Sequence, residues 1–257
     1  MSSIPTSEEN LPFFDPPSTE LPNPPVPYTT GWIFTAHIPS QIFTVRVLHA
    51  TSASKVPRDD TRLVAKIYDP LYFDDDGGFL NPFLCVNEHY THEANVYHHL
   101  SQFQGQGIPR FYGSYSVNLA VDSKQTRTVR MILIKYIHGV TMRDAKPEHY
   151  SQSARQKILK SIVDLDSRVY EKNIQLQDLH PRNVIISSPD RDPSGVVFID
   201  FGKTLFSRRP DDPFALKLDW FYGQFGDWID WDWDAWLETE FAHTPGNITP
   251  DMRKRWP

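Results

Sequence analysis

Apolar positions along the chain follow two periods. Between Gly31 and Ile137 they come in short runs dominated by Val, Ile, Phe and Tyr, at residues 32–37, 42–48, 63–68, 111–117 and 129–137. Such residues suit a half-buried pleated surface, so the runs predict five strands of an antiparallel sheet. Between the third and fourth runs, residues 87–103 set Ala94, Val96, Tyr97 and Leu100 at helical spacing. That spacing predicts one helix inside the strand order. After Gly139 the period turns helical. Residues 151–172 carry Ile158, Ile162, Leu165 and Val169 on one face, which predicts a core helix. Two short apolar runs, 183–187 and 196–199, flank a Ser-, Pro- and Asp-containing stretch and read as a hairpin. Near the end, Ile229, Trp233, Trp236, Leu237 and Phe241 share a helical face.

Composition adds limits. Residues 1–27 hold eight of the 22 prolines, a density that removes backbone donors and predicts an extended arm over 1–30. The 26 Lys plus Arg against 32 Asp plus Glu give a net charge of −6. That sign argues against a nucleic-acid partner, because phosphate neutralisation needs a basic footprint. No apolar run approaches membrane length, and Met1, Ser2, Ser3 and Ile4 do not open a signal peptide. The expectation is a cytoplasmic protein without a membrane partner. With Cys85 as the only cysteine, neither an intrachain disulfide nor a thiolate-rich zinc site can form. The 39% hydrophobic content over 257 residues supports one large domain or two packed lobes.

The densest chemistry lies in Asp178, Leu179, His180, Pro181, Arg182 and Asn183, followed after the predicted hairpin by Asp200, Phe201 and Gly202. An Asp, an Asn and a second Asp brought to one cleft would supply oxygen ligands for Mg²⁺ and an acceptor for a hydroxyl proton. This pattern resembles the protein-kinase-like superfamily, in its atypical, small-molecule branch. That branch comprises the aminoglycoside- and choline-kinase-like phosphotransferases and fungal-type small kinase-like proteins. The resemblance covers roughly residues 31–240. It implies an α+β, two-lobed protein-kinase-like fold. Residues 31–137 would form an N-lobe with a five-stranded antiparallel sheet and one helix, and 138–257 a reduced, mainly helical C-lobe. It further implies ATP and Mg²⁺ as cofactors, Asp178 as catalytic base, and Asn183 and Asp200 as metal ligands.

Upstream, Leu63, Val64, Ala65, Lys66 and Ile67 match the strand that carries the family's nucleotide-binding lysine. Lys66 is thus the implied ligand of the α- and β-phosphates, with Glu93 as its partner and Glu88 as the alternative. Residues 131–139 resemble the last strand and hinge, so Ile134, Lys135 and Ile137 are implied to contact adenine. An ordinary apolar edge strand is the reading without the other motifs.

The chain also departs from the family pattern. The first connection reads Ala36, His37, Ile38, Pro39, Ser40 and Gln41, without the glycines that let backbone N–H groups cradle phosphates. Gln177 stands before Asp178 where many protein kinases have Arg, and no Ala-Pro-Glu triplet follows Gly202. The resemblance to the small-molecule branch implies a small-molecule hydroxyl, in preference to a protein substrate, as the acceptor. The Gly-free connection keeps open a pseudokinase-like nucleotide-binding module without turnover. His89, His92, His98 and His99 lack zinc-protease spacing, because position 96 is Val, and Asp74, Asp75 and Asp76 lack the twelfth-position Glu of a calcium loop. Asp227, Asp230, Asp232 and Asp234 alternate with tryptophans and leave open an acidic outer face or a pocket for a cation. The sequence leaves oligomeric state undetermined.

Overall fold

The computed structural model describes residues 32–36, 42–47, 56–57, 61–73, 81–121, 124–187, 195–206 and 223–242. The Pro-rich arm, the 37–41 connection, Asp74 to Asp76, the turn at 188–194, Trp220 and Trp256 lie outside these residues.

The run from Leu63 to Tyr68, paired on both edges, lies at the centre of the first sheet. Strands β1 (Trp32–Ala36), β2 (Ile42–Val47), β3 (Leu63–Tyr68), β4 (Phe111–Ala120) and β5 (Thr126–Lys135) form one antiparallel sheet in the order β1-β2-β3-β5-β4. On one face Leu63, Ala65 and Ile67 join Val45, Met131 and Leu133 in an apolar cluster. The pleat turns Val64, Lys66 and Tyr68 to the other face. Helix α1 (Pro82–His99) starts where Asn81 accepts hydrogen bonds from the N–H groups of Phe83 (3.0 Å) and Leu84 (3.4 Å), with Pro82 in the first turn. It begins five residues before the predicted start. Phe83 and Leu84 are exposed and break the apolar periodicity of that turn. The helix ends at His99, and Ser101–Phe103 is a separate 3-10 turn.

Beyond the sheet, β6 (Val140–Thr141), β8 (Val184–Ile186) and β9 (Val196–Phe198) form a three-stranded antiparallel sheet, while β7 (Gln175–Leu176) pairs with β10 (Thr204–Leu205). Helix α2 (Gln152–Tyr170) buries Ile158, Leu159, Ile162, Leu165 and Val169, and Ser151 caps its start. Helix α3 (Trp233–Glu240) is capped by Asp232 and is shorter than the predicted Trp-rich helix, because Ile229 precedes it. Among the described residues from 138 on, α2 and α3 hold more of the chain than the five short strands beside them. The acidic stripe is partly structural, since Asp230 accepts a hydrogen bond from Arg155 (2.6 Å) and Asp232 from Ala235 N–H (3.0 Å). The larger apolar cluster runs from Tyr68, Tyr97 and Ile132 through Phe198 and Phe201 to Trp228. The sheet's inner face and the later helices thus share one core.

Candidate functional site

Helix α1 faces β3 with a buried stripe of Val86, Tyr90, Glu93, Ala94 and Tyr97. Glu93 belongs to that stripe, so helical geometry points a carboxylate, 1% exposed, at the strand face that bears Lys66. The Lys66 ammonium donates to Glu93 Oε2 at 2.5 Å. It also donates to Asp200 Oδ1 at 2.5 Å. Glu88 is turned away and exposed, 3.9 Å from His92, so Glu93 is the lysine's partner. Sequence reasoning missed a third member, Tyr68, whose hydroxyl donates to the same Glu93 Oε2 at 2.5 Å. The signal was the pleat, which gives residues 66 and 68 one face.

Burial alone would lower the Lys66 pKa, but Glu93 and Asp200 outweigh it and hold the ammonium above its ordinary value. Burial raises the pKa of Glu93, against the pull of Lys66. Asp200 is 43% exposed at the side chain. Burial works to raise its pKa, yet Lys66 and the Gly202 N–H bring it below the usual value.

Asp200 follows β9 with φ of 64°, a left-handed conformation that non-glycine residues seldom adopt and that Asp tolerates better than most. Next to it, Phe201 is buried and meets Tyr97 edge-on at 5.3 Å. The aromatic anchor goes into the core while the adjacent carboxylate turns out to the lysine.

The Asp178 to Asn183 segment is a loop closed by a 3-10 turn (Pro181–Asn183). His180 Nδ1 accepts from Arg182 N–H at 3.3 Å. The Asn183 amide donates to the Asp178 carbonyl at 2.9 Å and to its Oδ2 at 3.3 Å. Ile199 N–H donates to the Asn183 carbonyl at 2.9 Å, which ties this loop to the residue before Asp200. Arg182 was also missed as a site residue. Its guanidinium donates to Asp178 Oδ1 at 2.5 Å, four residues along the chain. Asp178, Asn183, Asp200 and Lys203 line one small cavity, whose apolar wall includes Leu179 and Phe201. This cavity unites the predicted Asp178, Asn183 and Asp200, and Lys66 reaches its edge through Asp200.

The predicted hinge residues sit on and just after β5, the paired neighbour of β3. Ile134 is buried near the end of β5, opposite Val64 of β3, while Lys135 is exposed and Ile137 follows the strand. Lys135 N–H donates to the Arg110 carbonyl at 2.8 Å. Gly139 then passes so close to β8 that a Cβ there would sit 2.2 Å from the Ile186 carbonyl oxygen, so glycine alone fits this crossing.

No group of three or more His, Cys, Asp or Glu among the described residues is arranged to hold a metal ion. His89 lies against Gly202, and His92 and His99 contact the Phe206 ring. Burial first, then Lys203, lowers the His89 pKa. No helix among the described residues is long and apolar enough to cross a membrane.

No protein-family profile matches this chain, and no curated protein sequence does. Among solved structures, the bifunctional kinase-methyltransferase WbdD is similar at 13% sequence identity and a TM-score of 0.49, with 87% of this chain and 43% of that one covered. The chain thus spans less than half the length of that protein.

Proposed function

We propose that this chain is an ATP- and Mg²⁺-dependent phosphotransferase of the protein-kinase-like type, with lobes at 31–137 and 138–257, that phosphorylates a hydroxyl of a small molecule. The observation that carries the reading is the Lys66 ammonium held at 2.5 Å from both Glu93 and Asp200, beside the loop of Asp178 and Asn183. A lysine oriented by a buried carboxylate is suited to α- and β-phosphates, because the carboxylate fixes the cation and keeps it charged. Asn183 and Asp200 offer the hard oxygen donors that Mg²⁺ takes, few enough that phosphates and water complete its shell. Bound there, the metal would neutralise phosphate charge. Ile134 closes the back of the adenine site, and the backbone at Lys135 and Ile137 meets the base edge.

In this reading Asp178 orients the acceptor hydroxyl and accepts its proton as the oxygen attacks the γ-phosphorus of ATP, the bond from phosphorus to the β–γ bridging oxygen breaks and ADP leaves. Arg182 fixes one carboxylate oxygen and Asn183 braces the other. The hydroxyl therefore meets a carboxylate with restricted rotation. The Gly-free connection over 36–41 favours a second reading, a nucleotide-binding module without turnover. Titration of Mg²⁺ and ATP in a thermal-unfolding assay tests binding, and phosphate release or transfer separates the two readings. Absence of any Mg-ATP stabilisation would overturn both.

A further inference from the structure

We propose that Tyr68 is a positioning residue for phosphate binding, acting through its hydroxyl on Glu93 and thereby on Lys66. The inference rests on the phosphotransferase reading and assigns a part of the site that the nucleotide does not touch.

Lys66 and Tyr68 stand two residues apart on one face of β3, and both donate to a single atom, Glu93 Oε2, at 2.5 Å. Glu93 is 1% exposed, and its other oxygen, Oε1, has no hydrogen-bond partner among the described residues. A buried carboxylate with so few donors is costly to keep ionised. Each donor on Oε2 therefore matters to whether Glu93 remains an anion that orients the lysine. Lys66 divides its ammonium between Glu93 and Asp200, so it cannot alone fix the direction of the carboxylate. Tyr68 gives its only proton to Glu93.

The phenol is itself well held. Tyr68 is 6% exposed, its ring meets Tyr90 of α1 edge-on at 5.4 Å, and the Lys66 ammonium lies 5.7 Å from its centroid. Burial, then Glu93, pushes its pKa up, so the hydroxyl stays a donor. A hydrogen bond to a charged partner commonly changes affinity by tenfold or more when removed. When phosphates compete for the Lys66 ammonium, the Tyr68 bond keeps Glu93 in place as the lysine's second partner.

The test measures Mg-ATP and adenosine affinities of the full chain, unsubstituted and as Tyr68→Phe, by calorimetry well below the unfolding temperature. Tyr68→Phe retains the ring and removes only the oxygen. The expected result is about tenfold weaker Mg-ATP binding with adenosine affinity unchanged, since adenosine has no phosphate for Lys66. Asn81→Ala, which weakens the same helix at its cap, should leave both affinities unchanged. Unaltered Mg-ATP affinity in Tyr68→Phe overturns the proposal, and so does an equal loss for adenosine, which would mark a general distortion. If the unsubstituted protein binds no Mg-ATP, the phosphotransferase reading itself fails. The hydrogen bond is read without nucleotide as a downfield, slowly exchanging proton resonance that Tyr68→Phe removes. Its absence from the unsubstituted protein overturns the proposal even where nucleotide binds.

Discussion

A carboxylate that takes a proton must be held and yet remain able to accept, and Asp178 meets both demands. Arg182 holds Oδ1 at 2.5 Å, while among the described residues Oδ2 has the longer 3.3 Å contact from Asn183. Under the proposed function, Asp178→Asn keeps the shape and loses the basic oxygen. Mg-ATP affinity should stay near normal while transfer to the acceptor falls at least about a hundredfold, the usual scale for general base catalysis. Calorimetry beside a single-turnover assay reads the two separately, and equal rates would remove Asp178 from the chemistry. His89 gives a prediction independent of nucleotide. Burial and then Lys203 put its pKa below the usual 6.5, so the unfolded chain binds the proton more readily than the folded one. The contribution to stability is present above about pH 6.5 and is lost as pH falls through the lower folded value. Unfolding temperatures between pH 7.5 and 5 should fall less steeply in His89→Gln than in the unsubstituted protein, about neutral pH being the common reference. Parallel curves would show that His89 does not take part.

Helix α1 joins these residues into a working element, because its buried stripe carries Glu93 toward β3 and Tyr97 toward Phe201 in consecutive turns. Its start depends on Asn81, which satisfies N–H groups of the first turn. Asn81→Ala should therefore lower stability by about 1 kcal/mol, read as a shifted denaturation midpoint with an unchanged slope. An unmoved midpoint would mean that packing alone sets the start of the helix. Much of this element was legible in sequence, since Ala94, Val96 and Tyr97 mark the face by spacing. The first turn was not, because Phe83 and Leu84 sit exposed at its outer side and contradict the period. The same limit shortened the Trp-rich helix. Trp228 and Ile229 are buried by a 3-10 turn and the residues after it, which imitate helical spacing without being helical. Strand β3 was legible to its ends because its apolar run is bounded by the charged Arg62 and Asp69. The pairing of Lys66 with Glu93 and Asp200 spans 27 and 134 residues. No local period reports such contacts, so only the order of motifs suggested them. The left-handed Asp200 and the bond from Arg182 to Asp178 had no sequence signal beyond residue type and spacing.

Across the whole molecule, one apolar cluster connects the sheet to the later helices, with Tyr97 stacked on Phe111 at 5.0 Å and set edge-on to Phe201 at 5.3 Å. At the far end, Arg155 of α2 donates to the Trp228 carbonyl at 3.2 Å and to Asp230 at 2.6 Å, joining the Trp-rich segment to the same core. A ligand that bridges Lys66, Asn183 and Asp200 would therefore add its binding energy to elements that already share a core, and one cooperative transition should report it. Under the proposed function, Mg-ATP at a hundred times its dissociation constant stabilises the folded state by about 2.7 kcal/mol. For a chain of this size that is a rise of roughly 5 to 10 °C in unfolding temperature. The rise should require both components, because Asn183 and Asp200 would hold the metal together with the phosphates. EDTA added to the complex should reverse most of the shift, and Asp200→Ala should show little shift at any Mg²⁺ concentration. The unliganded variant itself should unfold cooperatively, because Asp200 lies at the rim with 43% of its side chain exposed and its removal leaves Glu93 on Lys66. A full shift in EDTA, or in Asp200→Ala, would show nucleotide binding that does not use the metal and would take Asp200 out of the assignment.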